Sequence, residues 1–137
     1  MTIKNIDWAE LRRLAVQAAD AAYAPYSHFH VGAALLAADG RVFTGCNVEN
    51  ASFGLTVCAE RTAIFTAVTA RARSFSGLVV VTSSAAPVTP CGACRQVLHE
   101  FQPSFEVRCY GQSGEELVTS CAELLPRAFV SSDFQAG

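Results

Sequence analysis

The stretch FSGLVVVTSS, Phe75 to Ser84, carries an unbroken apolar, β-branched run. A strand with one wet face alternates apolar and polar residues, whereas Leu78, Val79, Val80 and Val81 leave neither face for water. The stretch therefore predicts a strand in the middle of a sheet that is covered on both sides. That prediction decides the fold class.

Upstream, FHVGAALLAADGRVFTGCNV (29–48) reads as two strands, 31–37 and 41–48, joined at Asp39-Gly40, a dipeptide suited to a two-residue hairpin turn. Before them, Leu11, Leu14, Ala15, Ala18 and Ala22 recur at helical spacing from Asp7 to about Ala24, and Asp7 with Glu10 resembles a capping box. The PYS at 25–27 stops this helix. ENASFGLTV (49–57) reads as a loop that leads into a second helix, Cys58 to about Arg71.

Downstream, AAPVTP (85–90) is a loop, and CGACRQVLHEF (91–101) has Val97, Leu98 and Phe101 on one helical face. SFEVRCYG (104–111) is a strand, and a fifth strand is expected near Leu117 to Thr119. Ser120 with Glu123 opens a short helix that ends at Pro126. The order of elements implies an α/β protein, a mixed sheet with helices on its faces. Neither a repeat nor a linker divides residues 1–137, so a single domain is expected.

Composition narrows the function. Ten Lys plus Arg against twelve Asp plus Glu give a formal charge of −2 with no basic run, which argues against a nucleic-acid partner. No segment has the length of a membrane span and the N-terminal residues lack a signal-like apolar run, so a soluble, cytoplasmic protein is expected. Hydrophobic residues make up 51% and charged ones 16%, a low charge content that leaves apolar surface for a partner, most simply another copy of the chain.

The six cysteines are Cys46, Cys58, Cys91, Cys94, Cys109 and Cys121. In a reducing compartment they are thiols, to be read as metal ligands or as buried small hydrophobes. Cys91 and Cys94 have C-x-x-C spacing at a helix start, which suits zinc, a redox pair or coincidence alike. Cys58 opens another helix, where exposed N–H groups favour a thiolate. Three thiolates on zinc leave one tetrahedral position for water, the arrangement of catalytic sites. Glu60, two residues beyond Cys58, could take that water's proton and hand it on; taken alone, it could equally serve only to complement the helix N-terminus. Arg61 and Arg95, each close behind a cysteine, could offset the surplus negative charge through bonds to sulfur, or be solvated surface charges.

The combination of C-A-E (58–60) with P-C-x-x-C (90–94) is the all-cysteine zinc deaminase signature. Together with PYSHFHVGAAL, GCNVENAS, CAERTA, PCGACRQV and ELLPRAF it closely resembles the small homotetrameric cytidine deaminases, from about Ala24 to Phe129. The resemblance implies a three-layer α/β/α fold with a mixed five-stranded sheet, and one zinc ion per chain. It implies Cys58, Cys91 and Cys94 as zinc ligands and Glu60 as the proton shuttle. Asn47 and Glu49 match the residues that bind the ribose hydroxyls, and Phe29 matches an aromatic near the pyrimidine. Phe129 matches an aromatic lent to the site of a neighbouring subunit in the tetramer. One departure is Phe53, which stands where many members carry a tyrosine reaching toward a neighbour's ligand.

The implied activity is hydrolytic deamination of cytidine and deoxycytidine to uridine and deoxyuridine, with release of ammonia, in pyrimidine salvage. Two alternatives stay open at this level. Cys46 as a fourth ligand would make a closed, non-catalytic zinc module, and a different aminopyrimidine nucleoside could be the substrate. His28, His30 and His99 are read as strand, surface or packing residues, and Cys46, Cys109 and Cys121 as buried hydrophobes.

Overall fold

The computed structural model describes residues 5–101 and 104–134. The ends of the expected single domain, 1–4 and 135–137, lie outside the described residues. Five strands form one sheet in the order β2-β1-β3-β4-β5: β1 (Val31–Ala37), β2 (Val42–Cys46), β3 (Phe75–Thr82), β4 (Glu106–Tyr110) and β5 (Glu116–Ser120). β3 is central and every one of its residues is buried. It pairs antiparallel with β1 and parallel with β4, while β1/β2 and β4/β5 are antiparallel. The sheet is mixed, as expected.

Alternate residues of the central strands feed two cores. Val79 and Val81 of β3 join Ala34 and Leu36 of β1 against Leu11 and Ala15 of α1 (Trp8–Asp20). Leu78 and Val80 join Ala33 and Leu35 on the opposite face, against α2 (Ala59–Thr69) and Leu98 of α3 (Gly92–Phe101). The unbroken apolar run of β3 follows from this, since both of its faces meet a helix layer. A short α4 (Cys121–Leu124) is capped by Ser120, whose Oγ accepts from the Glu123 N–H at 3.2 Å.

Three local readings need correction. The hairpin loop is three residues long: Ala37 N–H donates to the Arg41 carbonyl at 2.8 Å, Gly40 N–H returns to the Ala37 carbonyl at 3.0 Å, and Gly40 takes φ 95°. A left-handed glycine closing such a loop is the common three-residue hairpin, which needs the same Asp-Gly signal. At the start of α1, Asp7 Oδ1 accepts from Glu10 N–H at 3.1 Å, but the Glu10 carboxylate turns to Arg13 instead of completing the box. The same helix stops at Asp20 rather than near Ala24, because Tyr23 leaves it to bridge Val48 in parallel. Tyr23 N–H donates to the Asn47 carbonyl at 3.0 Å and its own carbonyl accepts from Glu49 N–H at 2.8 Å. Val48 in turn exchanges hydrogen bonds of 2.9 and 3.0 Å with Val57, so the segment Asn47–Glu49 is held on both sides.

The close seat of α2 on β2 depends on small residues. Ala59, Ala63 and Ala67 are fully buried at helical spacing. A Cβ added at Gly45 would lie 2.4 Å from the Ala63 backbone nitrogen and 2.5 Å from the Ala59 carbonyl oxygen. Gly45→Ala is therefore expected to cost about 1–3 kcal/mol of stability, read as a lowered thermal midpoint. A midpoint equal to that of the parent would contradict this packing.

Candidate active site

The loop of residues 83–90, at the C-terminal end of β3, leads into α3, and the N-termini of α2 and α3 meet beside it. Cys58 is the N-cap of α2, with extended backbone and no capping bond from its side chain, so the sulfur stays free to face the site. The Cys91 carbonyl accepts the first helical bond of α3, from Arg95 N–H at 2.9 Å. The ligating atoms of Cys58, Cys91 and Cys94 all lie within 4.8 Å of one another. Cys58 Sγ is 3.6 Å from Cys91 Sγ, and Cys91 Sγ is 3.5 Å from Cys94 Sγ. A tetrahedron with Zn–S bonds of about 2.3 Å has sulfur–sulfur edges of about 3.8 Å, so the donor set fits that ion. A redox pair would have no use for the third thiol.

Cys46 lies outside this group, so the described residues hold no fourth sulfur to close the site. Its carbonyl has another task, accepting from Thr62 Oγ1 at 2.8 Å to tie β2 to α2. Neither His28, His30 nor His99 joins the three thiols. Cys109 and Cys121 are buried in the core, as read from the sequence, and burial pushes their thiols up to about 12 and about 11.

The electrostatics of Cys58 and Cys94 follow from their surroundings. The neighbouring Cys94 thiol holds Cys58 down at about 5, and Arg61 adds to this. The same contact, together with burial, raises Cys94. Arg61 Nη2 donates to Cys58 Sγ at 3.5 Å, so its expected bond to sulfur is present. Arg95 behaves differently. Its Nε donates to the Pro90 carbonyl at 2.7 Å, Nη1 to the Leu124 carbonyl at 3.0 Å and Nη2 to Thr89 Oγ1 at 2.8 Å. Its fork ties the loop before Cys91 to the end of α4, with two bonds to the loop and one to Leu124, and none of these bonds reaches a sulfur.

A cavity of about 310 Å³ opens onto two of the thiols, Cys58 and Cys91, and its lining also includes Phe29, Asn47, Glu49 and Glu60. Glu60 is 4% exposed, and burial pushes its carboxyl up to about 7, with the Cys58 charge adding to the rise. Asn47 is buried: its Oδ1 accepts from Val31 N–H at 2.9 Å and its Nδ2 donates to the Phe29 carbonyl at 2.7 Å. One amide hydrogen and one lone pair remain for a ligand. Glu49 Oε1 accepts from Tyr26 N–H at 3.0 Å and Ser27 N–H at 3.2 Å, and its Oε2 from Ser27 Oγ. These donors hold the Glu49 carboxyl below its ordinary value, the Ser27 hydroxyl most of all.

The sequence reading missed Ser27, Thr56, Thr82, Val88 and Thr89, which complete the lining together with Val31 and Val80 of the sheet. Ser27 carries a signal, since it stands in PYSHFH, both a helix stop and part of a motif behind the resemblance, but neither reading gives it a role in the site. Phe129 does not line this cavity; it is 61% exposed, and its ring stacks on Phe134 at 5.7 Å. Phe53, 74% exposed, packs edge-on against Tyr26 in an adjoining hollow that shares Ser27, Glu49 and Thr56 with the cavity. A wider groove of about 710 Å³ runs along α1 and carries none of the candidate residues.

Comparison with known proteins agrees with this chemistry. A family described as the cytidine and deoxycytidylate deaminase zinc-binding region matches residues 7–109, which take in all three thiols and Glu60. A cytidine deaminase of Sporosarcina psychrophila is 51% identical over 118 residues, covering 85% of this chain and 87% of the relative. One from Halalkalibacterium halodurans is 47% identical over 130 residues, covering 93% and 98%. A crystal structure of cytidine deaminase from Burkholderia pseudomallei superposes with a TM-score of 0.88 at 50% identity, covering 90% of this chain and all of that one. Likeness at this level runs through the sheet, the helices and the thiol-bearing turns together, and the chain belongs to the cytidine and deoxycytidylate deaminase family.

Proposed function

We propose that this chain is a zinc-dependent hydrolase that deaminates cytidine and deoxycytidine to uridine and deoxyuridine, releasing ammonia, in pyrimidine salvage. The observation that carries the reading is a cluster of three thiols, two of which line a single cavity of nucleoside-compatible size together with one buried carboxyl. The names of relatives at 47% and 51% identity support the substrate.

Cys58, Cys91 and Cys94 hold the zinc in this reading. Bound there, the ion supplies Lewis acidity that lets water give up a proton near neutral pH. Arg61 sets a positive charge against three thiolates whose sum exceeds that of the ion. Glu60 moves the protons. Its carboxylate takes one from the attacking water and delivers it to ring N3 as the new bond to C4 forms. It then takes the second from the added oxygen and passes it to the amino nitrogen as the C4–N bond breaks. Water and cytidine thus become uridine and ammonia.

Phe29 offers a face to the pyrimidine, while Asn47 and Glu49 bind the ribose hydroxyls. A carboxylate already fixed by three donors accepts a further charge-assisted bond without reorienting. The same anion repels a 5′-phosphate if one lies nearby. We expect kcat/KM for cytidine to exceed that for cytidine monophosphate by roughly a hundredfold. Equal or better use of the monophosphate in a direct competition assay would contradict the ribose assignment.

Residues 1–137 form one domain in this reading, and the chain works as a homotetramer in which Phe129 reaches a neighbouring active site. The exposure of Phe129 and its absence from its own chain's cavity lining support this, as do the exposed Tyr26 and Phe53 beside the cavity. A cytoplasmic setting suits a site made of thiols, which hold zinc only when reduced. No helix among the described residues is long and apolar enough to cross a membrane.

A further inference from the structure

We propose that Gln96 is a positioning residue for substrate affinity and acts through Phe129. This rests on the reading of Phe129 as an aromatic lent to a neighbouring site. Gln96 stands two residues after Cys94, in the middle of α3. Its Nε2 donates to the Phe129 carbonyl at 2.7 Å, and its Oε1 accepts from Phe129 N–H at 3.3 Å. One side-chain amide thus satisfies both backbone groups of Phe129, as a neighbouring strand would.

Among the described residues, the remaining hydrogen bonds of the tail are internal to it, while Val130 and Ser131 line a shallow hollow with His99 and Glu100 of α3. Val130 N–H donates to Asp133 Oδ2 at 2.8 Å, and the Phe134 ring lies 17° from parallel to that of Phe129. Neither fixes the tail on the helix. Arg95, next in sequence, holds the Leu124 carbonyl, but residues 125–128 with Pro126 intervene before Phe129. Among the described residues, the amide of Gln96 is therefore the hydrogen-bonded link that fixes the Phe129 backbone to α3. Successive side chains on one turn brace the Cys91 loop through Arg95 and the Phe129 backbone through Gln96.

Such a residue affects binding and leaves the chemical step alone. The test is a double-mutant cycle of Gln96→Met and Phe129→Ala, with cytidine KM, kcat, zinc content and oligomer mass measured for each variant. Methionine keeps the volume and helix preference of glutamine but makes neither hydrogen bond. Phe129→Ala is expected to raise KM about tenfold. Gln96→Met should raise it roughly three- to tenfold, with kcat within about twofold of the parent and zinc unchanged. In the Phe129→Ala background Gln96→Met should add nothing.

An unchanged KM for Gln96→Met, beside a raised KM for Phe129→Ala, would overturn the role of Gln96 alone. Equal factors for Gln96→Met in both backgrounds would also overturn it, as would loss of zinc or kcat with KM intact. An unchanged KM for Phe129→Ala would remove the reading of Phe129 and this proposal together. If Gln96→Met does not fold, Gln96→Ala enters the same cycle under the same criteria.

Discussion

Replacing Glu60 with glutamine is expected to lower kcat for cytidine by about 10²- to 10⁴-fold, the usual worth of a positioned proton carrier. Zinc content should stay at the parent level, because the three sulfurs and their geometry are untouched. Glutamine has the shape of glutamate but cannot cycle a proton between water, ring nitrogen and leaving amine. The substitution is also mild for folding. The site is 4% exposed and its burial already disfavours the charged carboxylate, so a neutral amide of equal size carries no added ionisation cost. Activity and stability should therefore separate cleanly. Turnover within a few-fold of the parent would take Glu60 out of its assigned role, and loss of zinc would mean that the carboxyl also serves the metal.

Cys94→Ala is expected to remove metal and activity together. Cys94 is fully buried, and without its sulfur only Cys58 and Cys91 remain as donors. Zinc should fall well below one ion per chain. Zinc that binds only the folded state stabilises it, by about 4 kcal/mol at a thousandfold excess over Kd. For a domain of this size, stripping zinc from the parent with a chelator should therefore lower the thermal midpoint by roughly 10 °C. The alanine variant should start near that lowered midpoint and respond neither to chelator nor to added zinc. A variant that keeps stoichiometric zinc and deaminates cytidine would contradict the three-thiol assignment.

Much of the fold was legible because its strongest signals are periodic. The apolar run of β3 can be satisfied only between two layers, and the helix Leu11–Leu14–Ala15 pattern supplies one of them. What escaped was decided by contacts distant in sequence. Residues 21–24 keep a helical pattern, yet Tyr23 leaves the helix because Asn47 and Glu49 offer it backbone partners. The Asp39-Gly40 pair marked a hairpin without giving its loop length, since a two-residue and a three-residue turn both use a left-handed glycine.

The site divides along the same line. Cys58, Glu60, Cys91 and Cys94 were readable because metal chemistry demands particular residue types at particular spacings. Arg61 and Arg95 looked equivalent from their positions behind a cysteine. Only the folded chain separates them, one donating to sulfur and the other to the carbonyls of Pro90 and Leu124. Ser27 was passed over because a serine in a turn is usually just a turn residue, whereas here it holds the carboxylate of Glu49, 22 positions away. Gln96 stands in the PCGACRQV stretch, but nothing there points to its partner, which lies 33 positions away in a segment without regular structure.

The most direct test is to incubate purified protein with cytidine, quantify uridine and ammonia, and determine zinc on the same sample. The account predicts uridine and ammonia in equal amounts, by a catalyst holding about one zinc per chain, the stoichiometry of a single three-thiol site. Stoichiometric zinc without turnover of cytidine or deoxycytidine would contradict it, as would full turnover by protein that holds no zinc.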